Sequence, residues 1–192
     1  MRAIETRSLS AKELFKNRMH ELPAAVREAL KRQEWKVSDH EYYAFVKTNG
    51  AGDIKVFTKS LNEGVETNIH QGVVPNDDYF LLTSIVVNTA TSAVVGSTVA
   101  DAVAENYNTI HPILKNAKFN FKVGQDVYFE KCGAGIFQTN STRLEPGEYK
   151  LENPKFLYSK QELAMEFEQL GAALPAETWV KVRLKGLKTS KK

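Results

Sequence analysis

The sequence predicts a mainly β protein: a single jelly-roll or β-sandwich body behind an N-terminal helical arm, with one or two short inserted helices. Three observations predict it. Hydrophobic spacing is helical over the first 36 residues and changes to strand-like alternation from Tyr42 onward. Seven or eight short strand-like runs follow, separated by clusters of Gly, Pro, Asn and Asp. Helical and strand runs do not take turns as they would around a parallel sheet, which favours a sandwich over an α/β fold.

The arm begins at Ser10-Ala-Lys-Glu13, a capping box in which serine oxygen and glutamate carboxylate satisfy free backbone N–H groups reciprocally. Leu14, Phe15, Met19 and Leu22 then recur at helical spacing. Pro23 ends this helix and starts a second one carrying Val26, Ala29 and Leu30 on one face, with Arg27, Lys31 and Arg32 on or beside the other. Trp35 and Val37 lead into the body. The expected division is therefore a basic helical arm over 1–36 and a β body over 37–192.

Within the body, 42–47 and 54–58 alternate on either side of Asn49-Gly50-Ala51-Gly52-Asp53 and read as a hairpin. A strand is expected over 67–74, then a turn at Pro75-Asn76-Asp77-Asp78. The apolar, β-branched run 79–87 reads as a strand buried on both faces. Residues 88–108 are small and aperiodic: a long loop with room for a short helix over 99–105. Phe119, Phe121 and Val123 alternate with Lys118, Asn120 and Lys122, a strand with one buried face, ended by Gly124. Further strands are expected at 127–132, 136–137 and 148–151. A second capping box, Ser159-Lys-Gln-Glu162, predicts a helix over 159–170 with Leu163, Met165 or Ala164, Phe167 and Leu170, stopped by Gly171. The last strand, 178–184, sets Val180, Val182 and Leu184 against Trp179, Lys181 and Arg183.

Composition bounds the function. With 192 residues, 42% hydrophobic and 26% charged, the chain can fill one core and is not disordered throughout. No apolar run approaches the roughly 20 residues that span a bilayer. The N-terminus lacks the apolar core of a signal peptide, so synthesis in the cytoplasm is expected. Net charge is uneven: +4 over 1–36, −6 over 37–176 and +5 over 177–192. Basic ends on an acidic body suit contact with an anionic partner, or simply solubility.

No catalytic template fits. His20, His40, His70 and His111 lack the close spacing of a metal site, and the lone Cys132 excludes an intrachain disulfide and a thiolate zinc cluster. Cys132 lies in a strand-like run and reads as a buried or half-buried structural thiol. Asn76-Asp77-Asp78 offers oxygens but has no calcium-loop spacing, and a tight turn explains it. Gly133-Ala134-Gly135 lacks a third glycine and a following helix, so it does not cradle phosphate. Neither cofactor nor metal is expected, and no enzymatic activity.

The arm, the compact β body, the small-residue loop, the expected helix over 159–170 before the last strand and the closing run 174–186 together resemble the jelly-roll capsid proteins of tailless, often membrane-containing, bacterial viruses. The resemblance implies a homo-oligomer that associates with other virion proteins, resides in the virion and is made in the host cytoplasm. Its arm would face neighbouring subunits, membrane or genome. The length suits a single-jelly-roll capsomer, penton or minor shell protein rather than a double jelly roll. Candidate interface residues are Phe15, Arg18, Met19, Arg27 and Lys31 on the arm, with Lys181 and Arg183 on the last strand. Lysines on one face of that strand also suit edge protection. The alternative is a β-sandwich module that recognises carbohydrate or a host surface through Tyr42, Tyr79, Tyr128 or Trp179. A cupin-like enzyme ranks third, since the histidine spacing is missing.

Overall fold

The computed structural model describes residues 10–48, 52–138, 144–168 and 172–192. The chain runs through α1 (Ala11–Arg18), α2 (Ala24–Lys31), β1 (Trp35–Lys47), β2 (Ile54–Val56), β3 (Phe80–Thr91), α3 (Val99–Ala104), α4 (Pro112–Lys115), β4 (Lys118–Val123), β5 (Asp126–Gly133), β6 (Glu148–Leu157), β7 (Leu163–Glu168) and β8 (Thr178–Lys191). The strands form two antiparallel four-stranded sheets, ordered β1-β8-β3-β6 and β2-β7-β4-β5. The pairings β1·β8, β2·β7, β3·β6 and β4·β5 are those of one long antiparallel ribbon wrapped over itself, successive pairs falling in alternate sheets. That wiring is a jelly roll, two Greek keys closed into a sandwich.

Alternation in the sequence explains why the sheets face each other. Tyr42, Ala44, Val180, Val182, Leu184 and Ile85 project from the first sheet onto Met165, Phe167, Phe119 and Phe121 of the second. All are buried, and each large side chain taken from water contributes roughly 1.5–3 kcal/mol. Strand β3 is buried on both faces, as its apolar run predicts: Leu82 and Val87 join this core, while Leu81 lies beneath the arm. Opposite Leu82 stands Gly186, where a Cβ would fall 1.9 Å from the carbonyl oxygen of Leu81, so only glycine lets the two strands pair there.

Several expectations are overturned. The 159–170 helix is a turn followed by strand β7. Ser159 does not cap a helix; its hydroxyl accepts from the Asp77 N–H, while the Gln161 side chain accepts from the Tyr158 N–H. Leu163, Met165 and Phe167 alternate with Ala164 and Glu166, and pairing with β4 rewards that period of two. Leu170 and Gly171 lie outside the described residues, as do Asn49, Gly50 and Ala51 of the predicted hairpin turn. The hairpin itself does not form: β1 pairs with β8 over thirteen consecutive residue pairs, and β2 joins β7 in the other sheet. The expected strand at 67–74 is irregular, with a 3-10 turn at His70–Gly72, and 136–137 belongs to another at Ala134–Phe137. Residues 88–91, read as loop, continue β3. The expected helix over 99–105 forms as α3, capped by Thr98 and Asp101.

Strand β8 is central, not an edge, so its lysines do not guard an edge. The true edges are managed otherwise. Along β1, the N–H groups of Tyr43 and Phe45 donate to Asn68 Oδ1 (2.8 Å) and the Glu66 carbonyl (2.7 Å), which covers that edge with a loop. Along β5, register shifts and a left-handed Lys131 (φ 48°) bend the strand away from regular pairing.

Candidate assembly surface

The arm lies on the outer face of the first sheet. The capping box at Ser10 is formed, its hydroxyl accepting from the Glu13 N–H and the Glu13 carboxylate accepting from the Ser10 N–H. Phe15, Leu22 and Val26 pack on Leu81, Phe156 and Leu187, with Phe15 edge-to-face on Phe156 at 5.3 Å between centroids. A polar latch adds to this. Arg18 pairs with Glu21 at 2.5 Å and donates to Asn153 Oδ1 at 2.9 Å, on the stretch where β6 bulges out of register with β3.

This docking divides the arm candidates. Phe15 is 2% exposed, so its ring is taken up almost entirely by the chain's own packing. Arg18 is held by Glu21 and Asn153. Arg27 is half-buried, and Lys31 is exposed and paired with Glu28 at 2.8 Å. Met19 is half-buried and lines a groove of about 290 Å³ with Lys12, Phe15, Lys16, Leu30, Trp35 and Val37. Its walls are apolar, and Lys12 and Lys16 are its exposed cations.

Lys181 and Arg183 stand elsewhere on the same outer face, so the seven candidates do not form one patch. Arg183 pairs with Glu41 of β1 at 3.7 Å and with Glu145. Lys185 reaches Glu145 at 3.1 Å and Glu148 at 3.6 Å, and the Ser84 hydroxyl donates to Glu148 at 2.7 Å. A charged ladder thus crosses the sheet. The Lys181 ammonium sits over the rings of Phe45 (5.0 Å) and Tyr107 (5.4 Å), a cation–π contact within the chain.

Sequence reasoning missed the most exposed apolar feature. Among the described residues, three of the five exposed large apolar side chains are Val94 (52%), Val95 (91%) and Val103 (60%), on the β3–β4 connection. A polar clamp fixes the loop that carries Val94 and Val95. Glu177 accepts from the Ser97 N–H (2.8 Å) and hydroxyl (2.5 Å) and pairs with Lys47 at 2.6 Å. The Trp179 indole N–H donates to Ser97 Oγ at 2.9 Å, and Lys47 donates to the Ser97 carbonyl at 3.1 Å. The Lys47 ammonium, then the Ser97 hydroxyl and the Gly96 N–H, hold the Glu177 carboxyl down to about 2. Below the loop, Val99 and Ala102 of α3 bury against Phe45 and Trp179. The one signal in the sequence was a Val-Val-Gly triplet at 94–96 in a stretch with no period to bury it.

The histidines do not converge, and no group of three metal-ligating side chains occurs among the described residues. His40 packs edge-on against Tyr42 at 4.8 Å, and its pKa is lowered, chiefly by burial and then by Lys188. The buried Tyr42 hydroxyl donates to Asp78 at 2.8 Å, and Asp78 pairs with Lys188 at 2.9 Å; burial pushes the phenol pKa up. No helix among the described residues is long and apolar enough to cross a membrane. Of the proposed aromatic platform, Tyr42 and Trp179 are buried, while Tyr79 and Tyr128 are half-buried. Comparison of the sequence with protein-family models finds no match, and comparison with curated proteins finds none either.

Proposed function

We propose that this chain is a self-assembling structural subunit, a single jelly roll of the kind that builds virion shells. Jelly rolls serve as shell proteins, lectins and cupins alike, so the fold alone does not choose among them. The observation that carries the reading is the clamped valine loop. Lys47 of β1, Glu177 just before β8 and the Trp179 indole of β8 hold the turn that carries Val94 and Val95 into water. Apolar side chains held rigidly in solvent are features of a surface that is covered in the working state. The docked arm fits the same reading, since its apolar face closes its own sheet and leaves Lys12 and Lys16 outward.

Sedimentation velocity of the full chain across concentration and salt tests this. Concentration-dependent growth into closed oligomers supports it, and a strict monomer at every concentration overturns it. The full chain is required, because deleting the arm would bare Leu81, Phe156 and Leu187. A carbohydrate-binding module is the second reading, favoured by a slot of about 180 Å³ between the sheets that Tyr128, Phe129, Tyr149, Glu152 and Asn153 line. Lys155 covers the Tyr128 ring at 4.5 Å, which leaves less aromatic face for a sugar. Glycan-dependent stabilisation of a monomer would favour that reading instead.

A further inference from the structure

We infer that copies of this chain join head to tail, with the Val94-Val95 loop of one copy seated in the arm groove of the next. The inference rests on the self-assembly reading and names the two surfaces that meet. They lie at opposite ends of the subunit. Strand β1 runs from Trp35 in the groove wall to Lys47 in the loop clamp, twelve steps or about 40 Å apart. One copy therefore cannot satisfy its own groove.

The surfaces match in chemistry. The groove is walled by Phe15, Met19, Leu30, Trp35 and Val37 and flanked by the exposed Lys12 and Lys16. The loop presents Val95 at 91% and Val94 at 52% exposure, and the segment 92–105 around it carries Asp101 and Glu105 with no Lys or Arg. Lys47, beside the loop, is already neutralised by Glu177. Apolar contact in the centre with opposite charges around it gives both adhesion and register. The clamp has already ordered the loop, so little conformational freedom remains to be lost on docking.

Charge also argues against the two symmetric alternatives. Loop against loop would bring Asp101 and Glu105 towards their own copies, and groove against groove would do the same for Lys12 and Lys16. Like charges brought together oppose such contacts. A heterologous contact avoids both, and repeated around an axis it closes a ring.

Disulfide trapping tests the contact. In a Cys132→Ser background, one protein carries Lys16→Cys and a second carries Val95→Cys; both positions are exposed, so neither change disturbs the core. Under mild copper–phenanthroline oxidation the mixture is expected to form a disulfide-linked dimer at least about tenfold faster than either protein alone. A dimer formed as fast by the Val95→Cys protein alone would overturn the head-to-tail arrangement in favour of a symmetric one. A mixture that fails to link, while the parent chain still sediments as an oligomer, would overturn the inference and leave the assembly reading standing. A parent chain that stays monomeric throughout sinks both. As a second readout, Lys12→Glu with Lys16→Glu is expected to weaken oligomerisation about tenfold, as two exposed ion pairs would; unchanged affinity counts against the proposal.

Discussion

Replacing Phe15 by alanine removes the ring that fastens the arm to the body. The side chain is 2% exposed and packs among Leu81, Phe156 and Leu187. Buried Phe→Ala changes cost about 3–5 kcal/mol, and about 1 kcal/mol of that belongs here to the edge-to-face contact with Phe156. The arm lies outside the sandwich and can settle into the space left, so the lower end, about 3 kcal/mol, is expected. With a urea m-value of roughly 2–3 kcal/mol per molar, the unfolding midpoint should fall by about 1–1.5 M. Limited proteolysis should cut the variant within the arm before it cuts the body. The control is Lys31→Ala, which removes only an exposed ion pair with Glu28 and should change stability by less than about 0.5 kcal/mol. A midpoint shift below about 0.3 M in Phe15→Ala, with the arm still protected, would refute the docking argument.

The remaining predictions concern a half-buried histidine, the loop clamp and one glycine. His40 has a lowered pKa, so the unfolded chain binds its proton first as the pH falls through about 6.5. Stability should decline from about pH 6.5 downward, and His40→Gln should remove that part of the slope in denaturation curves taken between pH 7 and 5.5. Glu177 titrates the other way: its carboxylate contributes stability above the ordinary 4.5, and that contribution is lost as the pH falls toward about 2. Glu177→Gln should therefore loosen the valine loop at neutral pH, read as faster hydrogen exchange at the Ser97 amide while the β3 and β8 amides stay protected. Gly186→Ala would drive a Cβ into the Leu81 carbonyl and should cost about 3 kcal/mol in thermal unfolding, whereas alanine at Gly64 meets nothing within 4 Å and is strained only by its φ of +81°.

What the sequence made legible follows a physical line between local and long-range causes. The capping box at Ser10, the alternation of Phe119, Phe121 and Val123, and the doubly buried run of β3 are written in neighbouring residues, and all three are in the structure. The β7 segment carried two local patterns at once. Leu163 and Phe167 suit a helix at i and i+4, Leu163, Met165 and Phe167 suit a strand, and only the partner β4 decides between them. The supposed hairpin failed because adjacency in sequence does not choose sheet partners: β1 finds β8, which enters the chain more than a hundred residues later.

The site divides along the same line. Phe15 and Met19 were recognisable as a helix face, but only the sheet beneath reveals that Phe15 is consumed by the chain's own packing. Lys181 and Arg183 were recognisable as one face of a strand. That the strand is central, and that its cations pair with Glu41 and Glu145 or stack on Phe45, depends on three other segments. Val94 and Val95 gave almost no signal, because their exposure is imposed by Lys47 and Glu177, which lie far from the loop in sequence.

The central claim is that the exposed valine loop drives association. Sedimentation equilibrium of the full chain beside Val95→Asp, over the same concentrations, tests it most directly. Val95 is 91% exposed, so the variant should melt as the parent does. The account predicts a self-associating parent and a variant at least tenfold weaker in association. Equal association of the two proteins, with equal melting, would contradict it.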